Sequence, residues 1–470
     1  MVLTKSDFLH YRSCRKDMWL NRHKPEAVLR PKLTDFDLML MQDGYEVEAA
    51  VKNFVTSWPD FETLMFQKTY QSDDGLLVRA DLIRQIDDTT IDLFEIKSST
   101  SIKGHIEDAA FQVIAIERSG ITVRKINIIH VDKAYIRSGK IDPEGLLITV
   151  DVTAEVRETI ETLEGNIDTA LAWIKLDSID EDGCECRYEG SIPNQCSSFD
   201  YFNPGTPEQS IYLLPNIRTA RVREFVDDGR LGLKDINADE VTASMLPVLQ
   251  TAHAGTPIIN KDNILKFLKA LRFPLYFYDY ETFKSAVPIM DGTSPHEQVP
   301  VQVSIHKLTA EGRLTHGEFL ASGIDERRAL LGCLSAEIGN VGNCVSWNKS
   351  FEIGCNRKMA LAFPEHEEFL ASVNDRTVDL MGVFKRDYVD IRFRGSTSIK
   401  NVLPVVCPHL SYDELAVGNG GTAMAAWLSM SRESDPNIIT KKRDELLVYC
   451  QLDTFAMVEI YRFLLEVTRE

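Results

Sequence analysis

Residues 1–30 read as a basic, aromatic helix, with apolar groups from Phe8 to Leu20 at the three-to-four spacing of a single helical face. The same spacing predicts a second helix from about Asp35 to Phe54. The pattern then shortens. Near 63–70, 76–86 and 91–97 the chain carries strand-like runs, the last two separated by the polar turn Asp87-Asp88-Thr89-Thr90. A helix around 105–118, a β-branched stretch at 125–131 and a helix over 152–175 follow, and then a cysteine-bearing loop from Gly183 to Pro204. Residues 206–270 are mixed and mostly helical. A new pattern begins at Leu275, with strands near 275–283, 299–308, 315–320 and 343–347 and a last helix over 441–467. The fold class read from this is α/β, in three parts: 1–205, a helical connector over 206–270, and 271–470.

Composition narrows the class. A chain of 470 residues has a prior of two to four domains at about 150 residues each. Its 44% hydrophobic and 26% charged residues fit a soluble globular protein and exclude disorder, a collagen repeat or a disulfide-stapled miniprotein. No apolar run approaches the roughly 18 residues that span a bilayer, and the opening Met-Val-Leu-Thr-Lys-Ser-Asp lacks the apolar core of a secretory signal. Nine cysteines, an odd number, point to a reducing cytoplasm and to thiols used as thiols or metal ligands. The net charge of −19 argues against a basic nucleic-acid surface. It leaves open an enzyme that needs carboxylates to hold cations against a phosphodiester.

Two constellations of acids supply that chemistry. On a strand, Leu275, Phe277, Asp279 and Glu281 share a face, with the two carboxylates about 7 Å apart. Alone, the pair fits a solvated strand end as well as a metal site. Further on, Val345-Ser-Trp-Asn-Lys-Ser-Phe-Glu352 opens a helix with Glu352 near its first turn, and Asn348 there would serve equally as a helix cap. On the last helix Tyr449 and Asp453 are four residues apart, facing inward among Leu446, Met457 and Ile460. These motifs resemble the DnaQ-like 3′–5′ exonucleases of the DEDD type. The resemblance assigns Asp279, Glu281, Glu352 and Asp453 to metal binding, with Glu352 standing where that family usually has Asp, and Tyr449 to orienting the attacking water.

The second constellation lies near the start. Asp81 sits in Val78-Arg-Ala-Asp-Leu-Ile, and Glu95 and Lys97 share a face of the next strand. Glu-x-Lys by itself reads as a surface salt bridge. With Asp81, with Glu48 in Gly44-Tyr-Glu-Val-Glu48 on a helix (Glu46 if the helix is rotated), and with Phe111-Gln112 downstream, the set resembles RecB-like PD-(D/E)XK nucleases. Ile116 departs from that family's Tyr. The resemblance implies Glu48, Asp81 and Glu95 as metal ligands, with Lys97 and Gln112 as catalytic groups.

Cys14, Cys184, Cys186 and Cys196 are the cysteines of the N-terminal half. They are similar in placement to the one early and three late cysteines that hold a [4Fe–4S] cluster in RecB-like nucleases of the CRISPR-associated and AddB type, although Cys184-x-Cys186 is tighter than the usual spacing. Zinc accepts the same ligands. Cys333, Cys344, Cys355, Cys407 and Cys450 read as core residues.

Over nearly its whole length the chain resembles an uncharacterised bacterial family joining the two nuclease types. The shared wording is Tyr278-Asp-Tyr-Glu-Thr282, Ser398-Ile-Lys-Asn-Val-Leu-Pro404 and Tyr449-Cys-Gln-Leu-Asp-Thr-Phe-Ala-Met457. The expectation is a cytoplasmic enzyme, with Mg²⁺ or Mn²⁺ at both centres, cutting DNA that is single-stranded or has free ends, with RNA as a second substrate class and no membrane partner. The alternative is a nucleic-acid-binding scaffold in which one or both centres are degenerate.

Overall fold

The turn at Asp87–Thr90 closes the central hairpin of a six-stranded sheet. Its strands are β1 (Leu3–Thr4), β2 (Leu64–Gln71), β3 (Leu76–Gln85), β4 (Thr90–Lys97), β5 (Thr122–Val131) and β6 (Leu147–Asp151), in the order β1-β3-β4-β5-β6 with β2 also paired to β3. The β4–β5 pair is parallel, and its crossover is the helix Ile106–Arg118. One face of the sheet packs on that helix and on Thr153–Ile174, through Leu93, Ile126, Ile128, Phe111 and Ile167. The opposite face packs on the helix Asp35–Val55, where Val47, Val51 and Val55 meet Leu82, Phe94 and Ile129. Packing on both faces explains why β4 is buried continuously from Ile91 to Glu95.

The computed structural model describes residues 1–28 and 32–469; positions 29–31, within and just past the predicted first helix, and Glu470 lie outside the described residues. The chain is mixed α/β and divides into two units. The first comprises Met1–Leu33, Asp37–Thr206 and Ser285–His296, and the second Thr34–Phe36, Pro207–Lys284 and Glu297–Glu470. The single helix expected at the start is two, Lys5–Ser13 and Arg15–His23, because Cys14 between them is extended. Thr4 and Asp7 form a capping box that begins the first of them.

In the second unit the segment 206–270 contributes the helices Thr219–Asp227, Leu246–Ala254 and Lys261–Ala270. A short pair, β7 (Ile258–Ile259) and β13 (Tyr388–Val389), stands apart from the main sheet. That sheet has β8 (Leu275–Phe283), β9 (Val299–Leu308), β10 (Leu314–Leu320), β11 (Asn343–Ser346) and β12 (Thr377–Asp379), in the order β10-β9-β8-β11-β12. The β10-β9-β8 half is antiparallel, and β8, β11 and β12 are parallel. Alternation along β8 sends Tyr276, Tyr278 and Tyr280 into a core with Leu330, Leu334, Met359 and Leu370. The other face meets the terminal helix Pro436–Arg469, where Phe277 packs against Tyr461. Among the described residues no helix is long and apolar enough to cross a membrane.

Gly342, entering β11, shows how closely this sheet is closed. Its φ is +91°, and an added Cβ would lie 2.0 Å from the Pro274 carbonyl oxygen. Gly342→Ala is expected to cost roughly 3 kcal/mol by chemical denaturation, since both the left-handed backbone and the contact oppose a side chain.

Candidate functional site

Period-two alternation directs Asp279 and Glu281 at the terminal helix, and that helix presents Tyr449 and Asp453 from its buried face. Glu352 enters from the first turn of the helix Lys349–Ala362 and is 3% exposed. All five line one cleft of about 220 Å³, together with Trp347, Asn348 and Lys400. Asn348 is the N-cap by position, but its side chain makes no capping hydrogen bond.

Four carboxyls in one cleft, three of them buried and Asp279 half-buried, repel. Burial, and then the charges of Asp453, Glu352 and Glu281, push Asp279 well above the usual carboxylate range. Burial and Asp453 push Glu281 up to about 8. Burial also takes Glu352 up to about 7 and Asp453 to about 6, the latter opposed by hydrogen bonds from Tyr412 and Tyr449 and by Lys400. Glu352 Oε2 is buried with no hydrogen-bond partner among the described residues. Such a set is stable only with protons or cations between its members. Divalent cations suit it, because the donors are hard oxygens.

Lys400 lines the cleft and Tyr412 holds one of its acids, although neither was singled out from the sequence. Tyr412 Oη donates to Asp453 Oδ1 at 2.6 Å. Lys400 Nζ donates to Tyr449 Oη at 3.1 Å and to the Gly418 carbonyl at 2.6 Å, with the Tyr412 and Tyr449 ring centroids 5.4 and 5.1 Å away. Lys400 lies inside the stretch Ser398–Pro404, which was its available signal. Cys450, expected as plain core, is buried, yet its sulfur and one oxygen each of Asp279 and Glu281 lie within 4.8 Å of one another.

The first unit gathers the second constellation. Glu95, 1% exposed on β4, accepts from Lys97 Nζ at 2.8 Å, from Lys5 Nζ at 2.8 Å and from Gln112. Lys97 also reaches Asp108 at 2.7 Å. Burial would raise Glu95, but the two ammonium groups outweigh it and hold the carboxyl down at about 2. Asp81 accepts from the Ile96 amide at 3.0 Å, and burial followed by the charge of Glu95 pushes it up to about 7. Glu48 is engaged elsewhere, by Lys52 at 2.9 Å and Gln67 at 3.3 Å. Gln67 has φ +56° inside β2, between the pairs Phe66↔Leu82 and Lys68↔Ala80, which sets it beside Asp81. Lys5, Gln67 and Asp108 had no sequence signal. Ile116 is core.

Cys14, Cys184, Cys186 and Cys196 converge, with one sulfur from each within 4.8 Å of all the others. Cys184 and Cys196 are 3.8 Å apart, and Asn203 Nδ2 donates to the Cys184 sulfur at 3.3 Å. The group can hold a metal ion, and both members of Cys184-x-Cys186 take part. Cys344, Cys355 and Cys407 are buried and Cys333 is half-buried.

Residues 276–398 match the model of a family described as a domain of unknown function (DUF2779). The chain is similar to "Uncharacterized protein MG366 homolog" of Mycoplasma pneumoniae, 26% identical over 211 residues that cover 40% of this chain and 32% of that protein. It is also similar to "Uncharacterized protein MG366" of Mycoplasma genitalium (24% identical; 41% of this chain, 32% of that one). A third relative is "Uncharacterized protein UU173" of Ureaplasma parvum (25% identical; 51% and 40%). The alignments thus span 32–40% of the length of these relatives. No solved structure matches.

Proposed function

We propose that the chain is a metal-dependent nuclease with two centres. The second unit would be a DnaQ-like 3′–5′ exonuclease on an RNase H-like sheet, and the first a RecB-like PD-(D/E)XK nuclease. The observation that carries this reading is the meeting of Asp279, Glu281, Glu352, Asp453 and Tyr449, distant in sequence, in one cleft. Asp279, Glu281, Glu352 and Asp453 would hold Mg²⁺ or Mn²⁺. The cations, when bound, would polarise the scissile phosphate and acidify water. In the first unit, Asp81 and Glu95 would serve as ligands, with Lys97 offsetting phosphate charge, Gln112 fixing Glu95, and Glu48 drawn in from Gln67. The substrate would be DNA, single-stranded or with free ends, with RNA as the other class, and the place of work the cytoplasm.

Purified protein with Mn²⁺ is expected to shorten end-labelled single strands. Asp279→Asn should abolish trimming from the 3′ end and Asp81→Asn the remaining cleavage. Digestion that persists unchanged in the double variant would overturn the reading. A binding-only first centre is the second reading, favoured by Glu48 being tied to Lys52 and Gln67 and Glu95 to two ammonium groups. Its mark would be strand binding without turnover in Asp279→Asn.

Within the nuclease reading Lys400 is a positioning residue. An ammonium only donates, so Tyr449 Oη accepts from Lys400 and its own proton is turned elsewhere. Asp453, one helical turn on and held down in part by Tyr449, is the acceptor that proton would meet. Lys400→Met should lower kcat about a hundredfold with little change in melting temperature. Lys400→Arg, also donor-only, should recover most of it. The double variant with Tyr449→Phe should be no slower than Tyr449→Phe alone, and additive losses would show that Lys400 acts independently.

A further inference from the structure

The four-cysteine group carries an inference that is independent of the nuclease reading. We infer that Cys14, Cys184, Cys186 and Cys196 form a mononuclear tetrahedral site for zinc, and do not fit the [4Fe–4S] cluster that the family resemblance implies. The argument is one of size. A zinc–sulfur bond of about 2.3 Å makes the edge of a sulfur tetrahedron about 3.8 Å. A cubane puts four iron atoms between the thiolates, each sulfur on a different corner, and holds neighbouring sulfurs roughly 6 Å apart. Here Cys184 and Cys196 are 3.8 Å apart. Every other pair has an approach within 4.8 Å. A single ion fits between these sulfurs, whereas a cubane requires all of them to retreat by an ångström or more.

The backbone resists that retreat. Cys14 is fixed between two helices, where it ends one and begins the next, and it is 1% exposed. Cys184 and Cys186 are separated by one residue, Glu185, and both are buried at the start of a short turn of 3-10 helix. Spreading them would break that turn. The helix Arg15–His23 starts at Cys14 and Asn203 donates to the Cys184 sulfur, both of which favour thiolates, while Cys14 Sγ also lies 3.7 Å from Glu185 Oε2. Zinc has no redox chemistry, so the site would clamp the N-terminal helices to the 183–204 segment without relaying electrons.

The test is metal analysis of the full chain produced with both iron and zinc supplied, purified without air and washed with a chelator to clear the carboxylate centres. The expected result is one zinc per chain in a colourless solution. After exchange with Co²⁺, the spectrum should be that of tetrahedral cobalt with thiolate charge-transfer bands, and Cys196→Ser should remove it. A brown protein carrying about four irons and acid-labile sulfide per chain would overturn the inference. So would a chain that takes up neither metal and gives no tetrahedral cobalt spectrum. If Cys196→Ser does not fold, the zinc count and cobalt spectrum of the unaltered chain decide.

Discussion

Cys184→Ser should lower the stability of the first unit by roughly 4 kcal/mol or more, the range reached when a protein loses a structural metal. Cys184 lies 3.8 Å from Cys196 and accepts the hydrogen bond from Asn203. The segment it anchors has little regular secondary structure of its own. From 183 to 204 the backbone forms only short turns and one four-residue helix, Phe199–Phe202, with Gly183, Cys184, Cys186, Ser198, Phe199 and Phe202 as its buried residues. A metal there would tie this segment to Cys14 across some 170 residues of chain, adding to the Arg15–Glu185 ion pair and to the hydrogen bonds of Ser197 with Asp17 and of Lys16 with the Asp182 carbonyl. Urea unfolding should therefore show an earlier first transition, and limited proteolysis should open first within 183–204. Cys333→Ser, outside the group and half-buried, is the control and should change stability little. A first transition equally displaced in both variants would mean that the cysteines act as packing alone.

Asp279→Asn is expected to trade turnover for stability. Loss of a carboxylate that faces Glu281, Glu352 and Asp453 should reduce 3′-end trimming at least roughly a thousandfold. The same change should make the metal-free protein more stable at pH 8. Burial, then Asp453, pushes the Asp279 carboxyl well above the value of about 3.9 it has unfolded. A carboxyl raised in this way adds stability that is complete below the unfolded value and is lost as pH rises through the folded one. Asp453 at about 6, Glu352 at about 7 and Glu281 at about 8, against unfolded values of about 4, place that loss between about pH 4 and 8. Metal-free protein should accordingly melt lower at pH 8 than at pH 5.5, and Mn²⁺ should restore the difference by binding the deprotonated form. In Asp279→Asn the slope should flatten and the Mn²⁺ effect should shrink. Differential scanning fluorimetry over that pH range, with and without Mn²⁺, measures both. A melting temperature that rises steadily to pH 8 without metal would show that these acids do not share a buried charge.

Much of the secondary structure was legible. Helices expected at 105–118 and 152–175 are found as Ile106–Arg118 and Thr153–Ile174, because their apolar stripes are long and regular. The break at Cys14 was not, since a capping box at Thr4 and an extended cysteine leave the apolar spacing of both flanking helices intact. The cysteines divide the same way. Their types and number suggested ligands, but that Cys184 and Cys186 both reach the group depends on the turn between them.

What the sequence by itself determined is direction within an element: Asp279 and Glu281 on one face of a strand, Tyr449 and Asp453 on one face of a helix. Those follow from periods of 2 and 3.6 that any chain obeys. Tertiary structure alone decided which faces meet. Lys400 at Tyr449, Tyr412 at Asp453, Lys5 at Glu95 and Gln67 at Glu48 join residues 19 to 90 positions apart. Polar side chains of that kind enter a cleft only once the packing of apolar faces has closed the loops between them, and nothing in local spacing encodes that closure.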